Sequence, residues 1–241
     1  MHCDTSALDN PVENSLRELH APLARRAGAA VTYREGICTF AAVPPAPSAS
    51  DWHDLSLLVG EGGLADLFSA DVTAPDSWAL EFDLDGVQMI LDPSAPGGPG
   101  AREDPQPEPA VMELGPADVP DMLGLTDVAR PGPFFPRTIE MGTYLGVRDG
   151  DRLIAIAGER LHPPGWTEIS AVCTAPEARG RGLASLLINT LSQRILARGE
   201  QPFLHAVNSN SGAILLYERL GFRIRRQVHF HGYRVPGQAR P

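Results

Sequence analysis

Along the chain the apolar positions change period where the elements change. Apart from Glu168, residues 167–174 are β-branched or small with Ile169 and Val172 among them, a composition that suits a half-buried strand, and Pro176 then removes a ladder donor and ends it. From just past Gly180 the spacing lengthens: Leu183, Leu186, Leu187, Leu191 and Ile195 recur every three or four residues, and Gly199 supplies a stop. The stretch predicts strand, tight turn and helix.

The same reading predicts a helix over 12–26 through Leu16, Leu19 and Leu23, then extended chain over 31–43 up to the break at Pro44, Pro45 and Pro47. Asp51 can cap a short helix through Leu58, closed by glycines at 60–63. Leu80, Phe82 and Leu84 alternate with acids and are followed, after Asp85-Gly86, by Val87, Met89 and Leu91, which predicts a hairpin. Further on, 111–114 can start a sheet and 117–129 a helix, with Pro131 past its end. Residues 141–147 and 152–161 read as a hairpin around Asp149-Gly150, 203–207 as a strand, 211–220 as a helix and 222–230 as a strand pairing back.

Three regions follow. Residues 1–92 form a small mixed α/β part, too short for a complete copy of what comes after it, with a reduced copy as the alternative. Residues 93–109 are proline, glycine and charge with almost no large apolar side chains, and so make a linker. Residues 110–241 form the main domain.

Composition narrows the chemistry. Every basic residue is arginine, which excludes a Walker-type lysine loop and a lysine Schiff base and leaves backbone amides and arginine to handle phosphate. Residues 1–140 hold 23 acids and 7 arginines, and residues 141–241 hold 7 acids and 13 arginines. A polyanionic ligand therefore suits the second half. No arginine and aromatic stripe supports nucleic-acid binding. Cys3, Cys38 and Cys173 lie far apart without paired spacing, which argues for a reducing compartment and against a zinc site. The histidines lack ligand spacing, so no metal is expected. Without a membrane-length apolar run or a signal pattern, the expectation is a soluble cytoplasmic protein.

The turn before the long helix is the chief candidate site. Gly180 and Gly182 let an anion approach unpaired N–H groups at a helix start, Arg179 and Arg181 add charge, and Leu183, Ala184 and Ser185 supply the first amides. An ordinary strand-to-helix turn would also favour glycine.

Arg179-x-x-Gly182-x-Ala184 resembles the Gln/Arg-x-x-Gly-x-Gly/Ala signature of the GNAT superfamily of acyl-CoA N-acyltransferases. The run Asn210-x-x-Ala213-x-x-Leu216-Tyr217-x-x-Leu220-Gly221-Phe222 is similar to its second conserved segment. The resemblance covers residues 111–233. It implies an α/β (α+β) fold: a mixed, mostly antiparallel sheet flanked by helices, with a splayed central strand pair, preceded here by the smaller N-terminal region.

It also implies acetyl-CoA as cofactor and acetyl transfer to a primary amine, a small molecule or peptide, by direct attack in a ternary complex. By position, the amide of Val172 or Cys173 would meet the acyl carbonyl, the main chain of Val172 and Thr174 would hold the pantetheine arm, and Tyr217 would protonate the sulfur. Glu168, eleven residues before Arg179, would be the base, with Glu159 a weaker candidate and Ser170 on the same face. Asn210 would brace the cofactor or cap its helix, and Phe134 and Phe135 would touch the acceptor or else plug the core. Of the histidines, His205 lies on the strand flanking the cleft, and Cys173 lacks the histidine a nucleophile needs. A non-catalytic acyl-CoA-binding module and transfer of longer acyl groups, as in the similar glycine N-acyltransferase branch, are the alternatives. A homodimer is common in the superfamily.

Overall fold

In the computed structural model, which describes residues 4–68, 70–92, 94–95 and 109–237, β1 (Ala24–Ala27), β2 (Ala30–Tyr33) and β3 (Ala41–Ala42) form a small antiparallel sheet. A larger sheet takes β4 (Leu64–Phe68), β5 (Ala79–Leu91), β6 (Val111–Leu114), β7 (Tyr144–Asp149), β8 (Arg152–Glu159), β9 (Trp166–Thr174), β10 (Gln201–Val207) and β11 (Phe222–Arg234). Their order across it is β4-β11-β5-β10-β9-β8-β7-β6. All neighbours are antiparallel except β9 and β10, which run parallel. The helices are α1 (Pro11–Arg17), α2 (Ala49–Val59), α3 (Val119–Ala129), α4 (Leu183–Ala197) and α5 (Ser211–Arg219). Among the described residues no helix is long and apolar enough to cross a membrane.

Successive side chains of a strand point to opposite faces, and this sorts the core into layers. Met89 and Leu204 lie in the cluster with Met122 and Leu125 of α3 and Leu187, Ile188 and Leu191 of α4. Their neighbours Ile90 and Phe203 lie on the other face, packed with Leu8, Leu16, Ile37 and Phe40 of the N-terminal segment. A third cluster joins Trp52, Leu55 and Leu58 of α2 to Leu67, Trp78 and Tyr233. Leu187 and Leu191 are completely enclosed, and each contributes about 1.5–3 kcal/mol. That anchoring holds the start of α4 in place.

Several sequence expectations change. Residues 80–91 are not a hairpin but one continuous strand, paired along its length with β11. Gly86 serves packing there instead of a turn, since a Cβ would collide with the Phe230 ring and meet the Ala206 carbonyl oxygen at 2.6 Å. The helix expected over 12–26 stops at Arg17, and 24–27 pairs as β1. Ser48, not Asp51, caps α2: its hydroxyl accepts from the Asp51 amide while Asp51 accepts from the Ser48 amide. The segments before and after 93–109 share one sheet, because β5 lies between β11 and β10. Most of the linker expected over 93–109 lies outside the described residues.

Candidate active site

β9 and β10 pair only through Trp166–Gln201, Thr167–Pro202 and Glu168–Phe203. Beyond Glu168 the register ends and the two strands part. The other edge of β9 carries a bulge: Ser170 pairs with Gly158 and Cys173 with Ile156, so Ala171 and Val172 together oppose Ala157. Ala171 takes a φ of 51° to do so, an uncommon conformation for a residue with a side chain. The extra residue bends the strand and turns 171–172 toward the open seam.

The seam leads to the start of α4. Gly180 and Gly182 have φ of 77° and 76°, in the left-handed region where glycine avoids the Cβ penalty. Gly182 is the N-cap, no side chain caps it and no acid stands in the first turn. The amides of Leu183, Ala184 and Ser185 precede the first intrahelical bond, made by Leu186 to the Gly182 carbonyl, so the positive helix end is open to an anion. Arg179 and Arg181 are exposed beside it, and the Arg181 guanidinium lies 3.7 Å from Asp149. The glycines and unspent donors suit a pyrophosphate.

The parted strands wall a cleft of about 320 Å³. One side is Ile169, Ser170, Ala171 and Val172, facing His205, Ala206, Val207, Asn210 and Tyr217. The far end is aromatic: Phe40, Phe68, Phe82 and Phe230, with Phe68 stacked on both Phe40 and Phe230 at centroid separations of 4.3 and 4.7 Å. Asp66 and Arg160 are its two charged lining residues.

A polar chain runs beneath. Arg160 binds Glu168 twice, and the Nδ1 of His205 lies 2.6 Å from Glu168 Oε1. The Nε2 of His205 faces the Gln88 amide nitrogen at 3.1 Å, and that nitrogen also donates to the Leu8 carbonyl. This sets the tautomer: His205 donates from Nδ1 and accepts at Nε2. Burial lowers the imidazole's proton affinity, against the pull of Glu168. Burial would raise Glu168, but Arg160 outweighs it, with His205 assisting, and the carboxyl is held at about 2. Asp66 goes the other way. Burial pushes it up to about 7, only partly opposed by Arg160 and the Thr39 hydroxyl, and its Oδ1 has no hydrogen-bond partner. Burial likewise pushes the Tyr217 phenol to about 12, so it keeps its proton.

Of the residues expected from sequence, Ser170, Val172, His205, Asn210 and Tyr217 come together on the cleft. Asn210 caps α5, accepting from the Ala213 amide at 3.3 Å. Cys173 turns into the core, where burial raises its thiol to about 12, and Thr174 pairs with Ala155 on β8. Glu159 is buried against Arg198 at 2.9 Å, away from the cleft lining. Glu168 is fully enclosed and clamped; a carboxylate held that far down is a poor proton acceptor. Phe134 packs edge-on against Tyr144, and the loop reaches the cleft through Pro131, Gly132 and Pro133 instead of Phe134 or Phe135. Asp66 and Arg160 were missed. The one signal for Asp66 is a lone acid within the apolar run Leu64-Ala65-Asp66-Leu67-Phe68, two residues from Phe68 and so on its face.

Fold and cleft define the class: a mixed-sheet α/β protein with an open seam between parallel strands and a bare helix N-terminus following the first of them. A family model described as FR47-like protein matches residues 144–231. The chain is similar to a GNAT-family protein from Novosphingobium aromaticivorans DSM 12444, with 36% identity over 94% of this chain and 97% of that one and a TM-score of 0.82. It belongs to the GNAT family. The fold is also similar to that of the GCN5-related N-acetyltransferase from Kribbella flavida, at 16% identity over 96% and 97% of the two chains and a TM-score of 0.60. The GCN5-related N-acetyltransferase from Sphaerobacter thermophilus gives 15% identity over 87% and 78%, with a TM-score of 0.51. A search of curated proteins gives no match.

Proposed function

We propose that the protein is an N-acetyltransferase that moves the acetyl group of acetyl-CoA to a primary amine by direct attack in a ternary complex. The observation that carries this reading is the seam itself. β9 and β10 pair over three residues, then part, and β9 runs on into the uncapped start of α4.

The cofactor's side of the chemistry has residues to perform it. The amides of Leu183, Ala184 and Ser185, with Gly180, Gly182 and the flanking Arg179 and Arg181, hold the pyrophosphate. The main chain of β9 from Val172 to Thr174, unpaired by β10 on that side, takes the pantetheine arm as a false neighbouring strand. The Val172 or Cys173 amide then polarises the thioester carbonyl. Bound acetyl-CoA supplies an activated acyl carbon with a thiolate leaving group. Tyr217 lines the same cleft with its proton in place and protonates the departing sulfur. Holding both reactants in one cleft removes much of the entropic barrier.

The test is thiol release from acetyl-CoA across a panel of primary amines, with calorimetry of CoA binding alongside. Amine-dependent release with CoA bound supports the reading. CoA binding without release for any amine would leave a binding module and overturn it, and faster release from longer thioesters would reassign the acyl group.

A further inference from the structure

Three features of the cleft's aromatic end converge on one side chain. Asp66 lies on β4, is 3% exposed, and has an Oδ1 without a hydrogen-bond partner although it borders the cavity. A buried acceptor left unpaired is costly, and such a group is retained where something else completes it. Among the described residues Asp66 makes no salt bridge. The nearby guanidinium of Arg160 is already committed to both oxygens of Glu168 and lies over the Phe40 and Phe68 rings at 4.9 and 4.6 Å. Arg160 is shared with Glu168, His205 is neutral, and the ionised form of Asp66 is left only partly compensated in an apolar wall. A cation would complete it.

We infer that Asp66 receives the acceptor, binding the ammonium of a primary amine carried on an aromatic or apolar group and taking its proton before attack. The inference rests on the acetyltransfer reading above and gives the N-terminal part of the chain a role in it, because Phe40, Asp66 and Phe68 all come from residues before the proline-rich stretch. The rings of Phe40, Phe68, Phe82 and Phe230 offer flat apolar surface to the body of the amine, and a polar polyamine or a solvated lysine side chain gains little there.

The protons balance. Asp66 takes one proton from the ammonium, and the neutral amine attacks the thioester carbon. The C–N bond forms, the C–S bond breaks, and the sulfur takes a proton from Tyr217, which the nitrogen's second proton replaces. One N–H remains in the amide, and the proton on Asp66 leaves to solvent. A carboxyl raised toward 7 is better matched to this task than an ordinary one. The groups acting on Asp66 are Arg160 after β8, the hydroxyl of Thr39 and the thiol of Cys38, both before β3, while Glu168 on β9 and His205 on β10 act on Arg160 behind it. Arg226 of β11, near His205, is paired with Asp9 and Asp71 at 3.7 and 3.6 Å.

The experiment compares wild type with Asp66→Asn and Asp66→Glu, using 2-phenylethylamine, spermidine and a lysine peptide as acceptors. Thiol release and calorimetric binding of each amine to the CoA-loaded protein are both read. The expected result is preference for 2-phenylethylamine. For Asp66→Asn, kcat/KM for that amine falls by on the order of 100-fold, the rise of rate through about pH 7 disappears, and CoA affinity is kept; Asp66→Glu recovers part of the rate. Turnover of the polar amines with Asp66→Asn unchanged would overturn the inference and leave the acetyltransfer reading standing. If no amine is turned over, the acetyltransfer reading fails, and calorimetry decides the rest: Asp66-dependent binding of 2-phenylethylamine would keep the docking role, and its absence would remove it.

Discussion

Arg160 grips Glu168 with two near-parallel hydrogen bonds, Nε to Oε2 at 2.8 Å and Nη2 to Oε1 at 2.6 Å. Neither side chain has much access to water, since the carboxylate is fully enclosed and the guanidinium side chain is 12% exposed. The pair is a fixed dipole under the cleft. It stacks on the aromatic wall and orients His205, and it occupies the acid that the motif spacing would otherwise make the base.

Removing one partner strands the other. Glu168→Gln leaves the Arg160 cation buried without its counter-charge, which costs about 3–5 kcal/mol, and chemical denaturation should read the loss directly. Because Glu168 is held at about 2, below its ordinary value near 4.5, its contribution is complete above that ordinary value. It is lost as pH falls toward 2. The variant and wild type should therefore converge in stability under acid, while the pH dependence of turnover near neutrality keeps its shape in the variant.

Asp66 has the opposite linkage. Its folded value of about 7 lies above the ordinary 3.8, so its contribution to stability is full below 3.8 and declines as pH rises through 7. Asp66→Asn should melt higher than wild type at pH 8, with the gap shrinking toward pH 5 in a thermal scan. A stabilising substitution that removes activity is the pattern of a site kept for function.

Tyr217→Phe removes the hydroxyl and little else, since the ring packs 6.3 Å from Phe222 within the core. Steady-state thiol release should show kcat lower by on the order of 100-fold, with KM for acetyl-CoA close to wild type.

At Gly180 nothing lies within 4 Å of where a Cβ would stand, yet φ is +77°. Gly180→Ala thus meets strain and no clash, roughly 1–2 kcal/mol. Calorimetry should show CoA binding weakened by about tenfold, with the melting temperature nearly unchanged if the turn relaxes out of its binding geometry.

Gly86→Ala tests the continuous β5. The added methyl meets the Phe230 ring and the Ala206 carbonyl, and overpacking of this kind costs about 1–3 kcal/mol. Denaturant midpoints should fall; at a solvent-exposed hairpin turn the change would be small.

The order of elements from 111 to 234, the bare start of α4 and the place of Tyr217 were readable from local pattern, because each depends on neighbours a few positions away. Four-residue spacing places Leu183 and Leu187 on one helix face, and glycine next to it lets the turn form. The partners of Glu168 were not readable. Arg160 lies eight positions before it and His205 thirty-seven after, and their convergence depends on how strand edges align across a sheet. Asp85-Gly86 carries the same letters as a hairpin turn, and only the closeness of Phe230 and Ala206 decides that the strand runs straight through. The sequence by itself determined a family and a cofactor-shaped turn. Tertiary structure alone decided that an N-terminal acid, Asp66, faces the parted strands, because burial and pairing set a carboxyl's chemistry and neither is a property of its position in the chain.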